Sequence, residues 1–165
     1  MGKIEILKSR IENDLKNLRK IRNEITEISY LNLSDYYKIK LFAQNLHDYY
    51  NGLERIFRAI AKSIDGQVPK GEDWHSELLE NMALDLKDIR PAVISDALKE
   101  SLHELRGFRH VFRSHYGFEL NKLKVMNLLN AFEEKIFDEV EQALGSFMEF
   151  LETLTSTSGT TGVGS

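Results

Sequence analysis

Side chains that bind phosphate and exchange protons are concentrated in residues 106–116. This segment holds three arginines, two histidines and a tyrosine: Arg106, Arg109, Arg113, His110, His115 and Tyr116. Histidine exchanges protons near neutral pH, and arginine presents a rigid fork of donors that matches phosphate oxygens. No acidic residue lies between Glu104 and Glu119, so the segment has no negative charge of its own.

The spacing of these residues predicts a line of positive charge along one helix. At 100° per residue, four of them share a face that we call the arginine stripe: Arg106, Arg109, Arg113 and Tyr116. His110 lies beside it. Cations one turn apart repel each other, so we expect a carboxylate from another helix, such as Asp48 or Glu54, or a phosphate ligand to face the stripe. Pairing with acids inside the protein is the purely structural alternative.

The placement of His115 depends on where that helix ends. In an unbroken helix His115 lies opposite Arg106, close to Phe108 and Phe112 on the apolar side. Gly117 indicates that the helix is ending, and a break at Ser114 would turn His115 toward the arginine stripe. The sequence leaves both placements open.

Cleavage of RNA without a metal requires only the residue types of this segment. An oriented 2'-hydroxyl attacks the adjacent phosphate, a group that titrates near neutral pH moves the proton, and cations stabilise the charge that builds on the phosphorane. Histidine and arginine supply these functions. We therefore expect Arg106 and Arg113 to bind substrate phosphates.

Composition excludes several other classes of site. The chain of 165 residues has no cysteine, which excludes disulfides, thiolate metal sites and cysteine nucleophiles. No histidine and carboxylate pair has the spacing of a dedicated metal site, so we expect no metal and no cofactor. A net charge of −4 argues against a protein that coats nucleic acid over its whole surface. We expect no membrane span and a cytoplasmic location.

Apolar residues recur at steps of three and four along most of the chain, which predicts amphipathic helices. We expect four long helices and one short one, over about Ile4–Ile28, Ser34–Asp65, Trp74–Met82, Pro91–His115 and Leu123–Leu154. Their apolar faces predict an all-α fold, an antiparallel four-helix bundle with one short extra helix over residues 1–154. The Thr-, Ser- and Gly-rich residues 155–165 predict a disordered tail.

The same residues resemble the HEPN superfamily, and more narrowly a HepT-like ribonuclease toxin domain. The resemblance covers about residues 1–150 and rests on three ordered segments: Tyr50-Asn51-Gly52-Leu53-Glu54, Gly71-Glu72-Asp73-Trp74-His75 leading to Leu78-Leu79, and Phe108-Arg109-His110 through Tyr116. The family form places histidine five residues and tyrosine seven residues after the arginine. Counted from Arg109, the tyrosine position is Tyr116 and the histidine position is Ser114. His115 lies one residue further on.

The resemblance implies a metal-independent endoribonuclease toxin with an RNA substrate. Arg109 would orient and stabilise the scissile phosphate, and His115 would be the general acid or base, with His110 as the substitute. Tyr116 matches the position that partner nucleotidyltransferases modify with AMP, and Ser114 would support the site. A homodimer and an antitoxin of the MNT-type nucleotidyltransferase class are implied as partners.

Other interpretations stay open at this point. The chain is alternatively a catalytically inactive helical dimer that binds a nucleotidyltransferase, or a module in which the arginines hold a free nucleotide. Asp73 is predicted to cap the short helix and Trp74 to anchor the preceding loop, with His75 a weaker catalytic candidate. His47 is predicted to lie on a half-buried helix face.

Overall fold

The computed structural model describes residues 2–114 and 121–157, with side chains for residues 2–108 and 121–157. The elements are α1 (Lys3–Tyr30), α2 (Asp35–Ile60), a π-helical turn (Ala61–Asp65), α3 (Trp74–Met82), α4 (Asp96–Ser114), α5 (Lys122–Ala131), a second π-helical turn (Phe132–Ile136) and α6 (Phe137–Thr157). The π turns directly join the helices beside them, so α2 is extended to Asp65 and α5 is continuous with α6. Over these residues the fold is all-α, as predicted.

The predicted start of the fourth of these five helices was wrong. Pro91 does not open α4, which begins at Asp96, one residue after Ser95. The Ser95 side chain accepts a hydrogen bond from the backbone N–H of Leu98 at 3.1 Å and so caps the helix. Residues 91–94 are instead held by α3, because Val93 donates its backbone N–H to the carbonyl of Met82 at 2.8 Å.

The other helix boundaries lie close to the predicted ones. The extension of α2 stops at Gly66, whose φ of 79° is left-handed and favours glycine. At the other end of the chain, α6 continues to Thr157, three residues into the expected tail. Residues 158–165 lie outside the described residues.

α1 and α2 pack along most of their length and α2 also contacts α3, α4 and α5. The predicted stripe of α1 is buried at Leu7, Ile11, Leu15, Leu18, Ile25 and Ile28. A methyl group on Gly52 of α2 would come within 2.7 Å of Leu18 Cδ2, so glycine lets the two helices approach closely. In the second turn of α2, Leu41 is 37% exposed, whereas its neighbours Ile39 and Phe42 are buried.

Arg90 fixes the connection between α3 and α4. Its side chain is fully buried and makes a two-pronged ion pair with Asp65, at 2.6 Å from Nε and 2.9 Å from Nη2. It also donates to the carbonyls of Asn81, Leu84 and Pro91. These contacts join the end of the α2 extension to the end of α3.

α6 returns along α1, where Arg19 makes an ion pair with Glu141 at 2.8 Å. The apolar stripe predicted for the last long helix is buried at all of its positions: Val125, Leu128, Leu129, Phe132, Ile136, Val140, Leu144, Phe147 and Leu151. None of the described helices is long and apolar enough to cross a bilayer.

Candidate functional site

Residues 106–114 of the arginine-rich segment form the second half of α4. The backbone is helical through Ser114, so Arg106, Arg109 and Arg113 occupy helical positions three and four residues apart, as predicted. Residues at these spacings lie on one side of a helix. α4 therefore supplies the helical register on which the arginine stripe depends.

Arg106 is the arginine of this stripe whose side chain the structure describes. Arg106 is half-buried, and its neighbours in the helix Leu105 and Phe108 are buried in the core. Its Nε atom is buried, and no described residue accepts a hydrogen bond from it. A buried donor without a partner costs about 1–3 kcal/mol, whereas a phosphate oxygen is a strong acceptor for a guanidinium. Arg106 therefore lies half-buried at the start of the arginine stripe and carries a guanidinium, the group that suits phosphate oxygens.

A line of polar side chains runs along α2. His47, Asn51, Glu54 and Arg58 are spaced by four, three and four residues and so share one face. His47 and Glu54 are buried although they are polar, and Asn51 Nδ2 lies 3.1 Å from His47 Nε2. Buried polar groups require partners, so this face of α2 is fixed by specific contacts.

Glu54 is held by the start of α3. Its Oε2 lies 2.7 Å from His75 Nδ1, and the exposed fractions of the two side chains are 7% and 28%. The Trp74 ring stacks on the His75 ring with their centroids 3.5 Å apart. The Arg58 guanidinium lies over the Trp74 ring, 4.9 Å from its centroid. Trp74 thus anchors the loop that precedes α3, as predicted. Asp73 is the N-cap residue, but its side chain makes no capping hydrogen bond.

The end of α3 is bound to α4 through Glu80. Its Oε1 lies 2.7 Å from His103 Nε2, and its Oε2 accepts a hydrogen bond from Lys99 at 3.0 Å. Two hydrogen bonds lower the pKa of Glu80, chiefly the one with His103 and next the one from Lys99. His103 is three residues before Arg106, or about one helical turn. α3 therefore connects the polar face of α2 to the beginning of the arginine stripe.

One family model matches about two thirds of the chain. A model of the family described as HepT-like protein matches residues 41–151. The chain belongs to the HepT-like family. No curated protein and no solved structure matches the chain.

The matched range covers most of the elements around α4 in this HepT-like chain. It begins in α2 and ends in α6, so it includes the polar face of α2, all of α3 and all of α4. α1 lies before it and contributes the buried stripe that covers α2. The family assignment therefore covers every element that contacts α4 through the polar side chains described above.

The remaining predicted site residues divide into two groups. His110 and Ser114 lie on the helical backbone of α4, and their side chains, like those of Arg109 and Arg113, are outside the described part. His115 and Tyr116 lie wholly outside the described residues. Among the residues that are described, no group of three His, Cys, Asp or Glu side chains has a geometry that could hold a metal ion.

Two acidic residues were predicted as partners of the arginine stripe. Asp48 is exposed and accepts a hydrogen bond from Gln44 at 2.9 Å, so it belongs to the solvated side of α2. Glu54 is buried beside His75. Sequence reasoning treated Glu54 and His75 separately and missed their pairing. The signal available was the spacing of His47, Asn51 and Glu54, which places three polar side chains together on one face of α2.

Proposed function

We propose that this HepT-like chain is a metal-independent endoribonuclease toxin whose active segment is 106–116. The observation that carries the proposal is the helical register of α4 through Ser114, which gives three arginines a common face. Phosphoryl transfer depends on fixed positive charge around the reacting phosphate. Half-buried Arg106 supplies a positive charge at the start of this face.

In the proposed reaction, each residue type has one role. Arg109 orients the scissile phosphate, and Arg106 and Arg113 neutralise charge on its oxygens and on the neighbouring phosphates. The 2'-oxygen attacks the phosphorus atom, and the bond from phosphorus to the 5'-oxygen breaks. His115, or His110 in its place, takes the proton from the 2'-hydroxyl or supplies one to the 5'-oxygen. Tyr116 and Ser114 support the site.

The finer features of the fold and its partners belong to the same proposal. We propose that the helices form an antiparallel four-helix bundle over residues 1–154, and that two copies form a homodimer in the cytoplasm. An MNT-type nucleotidyltransferase is the proposed antitoxin, with Tyr116 as the residue that it modifies with AMP. The HepT-like family assignment and the resemblance of the motif support these features.

The decisive experiment measures cleavage of RNA in EDTA. Arg109→Ala is expected to slow cleavage by about 10²–10³-fold through loss of charge stabilisation, and His115→Ala by about 10²–10⁴-fold through loss of proton transfer. His110→Ala separates the two histidines, because only the catalytic one should give a loss of this size. Arg55→Ala is the matched control, since this exposed arginine pairs with Asp14 away from α4. Unchanged cleavage in both Arg109→Ala and His115→Ala would remove the proposed site.

A second candidate function is favoured by one observation in the sequence. Ser114 occupies the position that holds histidine in the family form, which is the change expected in an inactive member. The chain would then be a helical dimer that binds a nucleotidyltransferase through the arginine stripe. Co-purification with such a partner that is lost in Arg109→Ala, together with no RNA cleavage at high protein concentration, would support this function over the nuclease.

A further inference from the structure

Exposed aromatic side chains are clustered where α1 meets α2. Ten large apolar side chains are exposed in the described part of the chain, and six of them lie within residues 30–41: Tyr30, Leu31, Leu33, Tyr36, Tyr37 and Leu41. Single exposed apolar residues are ordinary, but a contiguous group marks a binding surface. We call the three rings Tyr30, Tyr36 and Tyr37 the tyrosine platform.

The rings of the platform are accessible, and two of them contact each other. Tyr30, Tyr36 and Tyr37 are 86%, 60% and 57% exposed. Tyr36 and Tyr37 meet edge to face with centroids 5.4 Å apart. Lys38 donates a hydrogen bond to the carbonyl of Ser29 at 3.2 Å, which ties the first turn of α2 to the last turn of α1. Exposed aromatic faces on a fixed backbone are what nucleobases stack on in single-stranded nucleic-acid sites.

The platform carries positive charge although the whole chain is acidic. Lys40 Nζ lies over the Tyr36 ring, 4.6 Å from its centroid. The acid within residues 30–41, Asp35, is neutralised by Lys122 at 3.0 Å, and hydrogen bonding to Lys122 lowers the pKa of Asp35. Tyrosine is enriched at protein interfaces but lysine is depleted there, whereas tyrosines interleaved with lysines suit a ligand that has both bases and phosphates. The charge therefore favours a nucleic acid over a protein.

The start of α5 lies between the platform and α4. Lys122 reaches Asp35 at the start of α2, while Leu123 and Lys124 line one cavity together with Gly107 and Phe108 of α4. Gly107 directly follows Arg106 in the arginine stripe. The start of α5 therefore contacts both the first residue of α2 and the cavity beside α4.

We propose that the tyrosine platform binds unpaired bases of the RNA strand on one side of the scissile phosphate, with Lys40 contacting the backbone. This subsite rests on the proposed function for its substrate class, although its binding can be measured without cleavage. The bases stack on the tyrosine rings, so the site accepts many sequences. It requires single-stranded RNA, because paired bases already stack on each other.

The test compares the affinity of the protein for a fluorescent single-stranded oligoadenylate of about 12 nucleotides and for the same strand in a duplex. The strand carries 2'-O-methyl groups, so it cannot be cleaved. Tyr36→Ala/Tyr37→Ala is expected to weaken binding of the single strand by about 10–100-fold, and Tyr36→Phe/Tyr37→Phe to restore it to within about twofold. Lys40→Gln is expected to lower the slope of log affinity against log salt by about one. Thermal melting of each variant verifies that it is folded.

The outcomes separate this proposal from the nuclease proposal. Wild-type affinity in Tyr36→Ala/Tyr37→Ala overturns the platform, and RNA cleavage by that variant would leave the nuclease in place. Tyrosine-dependent binding without cleavage by the wild type supports the platform and counts against the nuclease. If the single strand does not bind and the wild type self-associates in a way that the double alanine variant abolishes, the surface is a protein interface and the proposal is wrong.

Discussion

Glu54 and His75 form a partly buried pair between α2 and the start of α3, with Oε2 and Nδ1 2.7 Å apart. They are 21 residues apart in the chain, and the loop between them contains two glycines and Pro69. Because the Trp74 ring stacks on His75, the pair and the ring together hold the loop against α2. α3 then carries Glu80 to α4.

The first prediction concerns this pair. Glu54→Ala and His75→Ala should each lower the free energy of unfolding by about 1–3 kcal/mol, because each leaves a largely buried polar partner behind. The double variant should lose less than the sum, with a coupling of about 0.5–3 kcal/mol. Urea denaturation of all four proteins measures the cycle. Strict additivity would contradict a direct contact, and Asp48→Ala, on the exposed side of α2, should stay within about 0.5 kcal/mol of wild type.

The second prediction concerns the clamp at Arg90. Arg90→Ala removes the partner of Asp65 and the donors to three backbone carbonyls, and the expected cost is about 3–5 kcal/mol. Arg90→Lys should recover only part of this, because an ammonium cannot make the two-pronged contact. Arg55→Ala is the control, since Arg55 is 68% exposed in its pair with Asp14 and such pairs contribute about 0–1 kcal/mol. If urea denaturation showed equal losses in the free energy of unfolding for Arg55→Ala and Arg90→Ala, burial of the Arg90 side chain would not explain its contribution.

The third prediction concerns Tyr49, whose ring is fully buried beside Phe132 with centroids 4.7 Å apart. Its hydroxyl has no hydrogen-bond partner among the described residues, and burial raises the pKa of this group. Tyr49→Phe removes the unpaired hydroxyl and should stabilise the protein by about 1 kcal/mol. A higher urea midpoint with an unchanged m-value would show this. Tyr36→Phe, at an exposed ring, should have no measurable effect, and a loss of stability in Tyr49→Phe would mean that the hydroxyl is satisfied in solution.

The helices could be predicted from the sequence because their apolar residues repeat at the helical period. The stripe from Val125 to Leu151 is buried at every predicted position, since packing of an amphipathic face is what stabilises such helices. The start of α4 could not be predicted in this way. Proline suits the first turn of a helix locally, but Val93 donates to the carbonyl of Met82, a contact made by a different part of the chain.

The candidate site could likewise be predicted from the sequence only where it depends on local helical spacing. The positions of Arg106 and Arg109 on one helix follow from local periodicity, and the backbone of α4 confirms them. The pairing of Glu54 with His75 depends on the path of a loop with little regular structure, which residue spacing does not encode. The roles of Arg109 and His115 depend on side-chain orientation and stay predictions.

The last prediction concerns the pH dependence of the contact between α3 and α4. The pKa of Glu80 is lowered by hydrogen bonds from His103 and Lys99, so this carboxyl binds a proton less readily in the folded than in the unfolded chain. Its contribution to stability is therefore present above its ordinary value of 4.5 and is lost as the pH falls through the folded value. The melting temperatures of wild type and Glu80→Gln, plotted against pH from about 3 to about 8, should differ at neutral pH and converge in acid. Because Glu80 is exposed, added salt should reduce the difference in melting temperature between wild type and Glu80→Gln. Curves that stay parallel over the whole range would show that the charge on Glu80 does not hold α3 to α4.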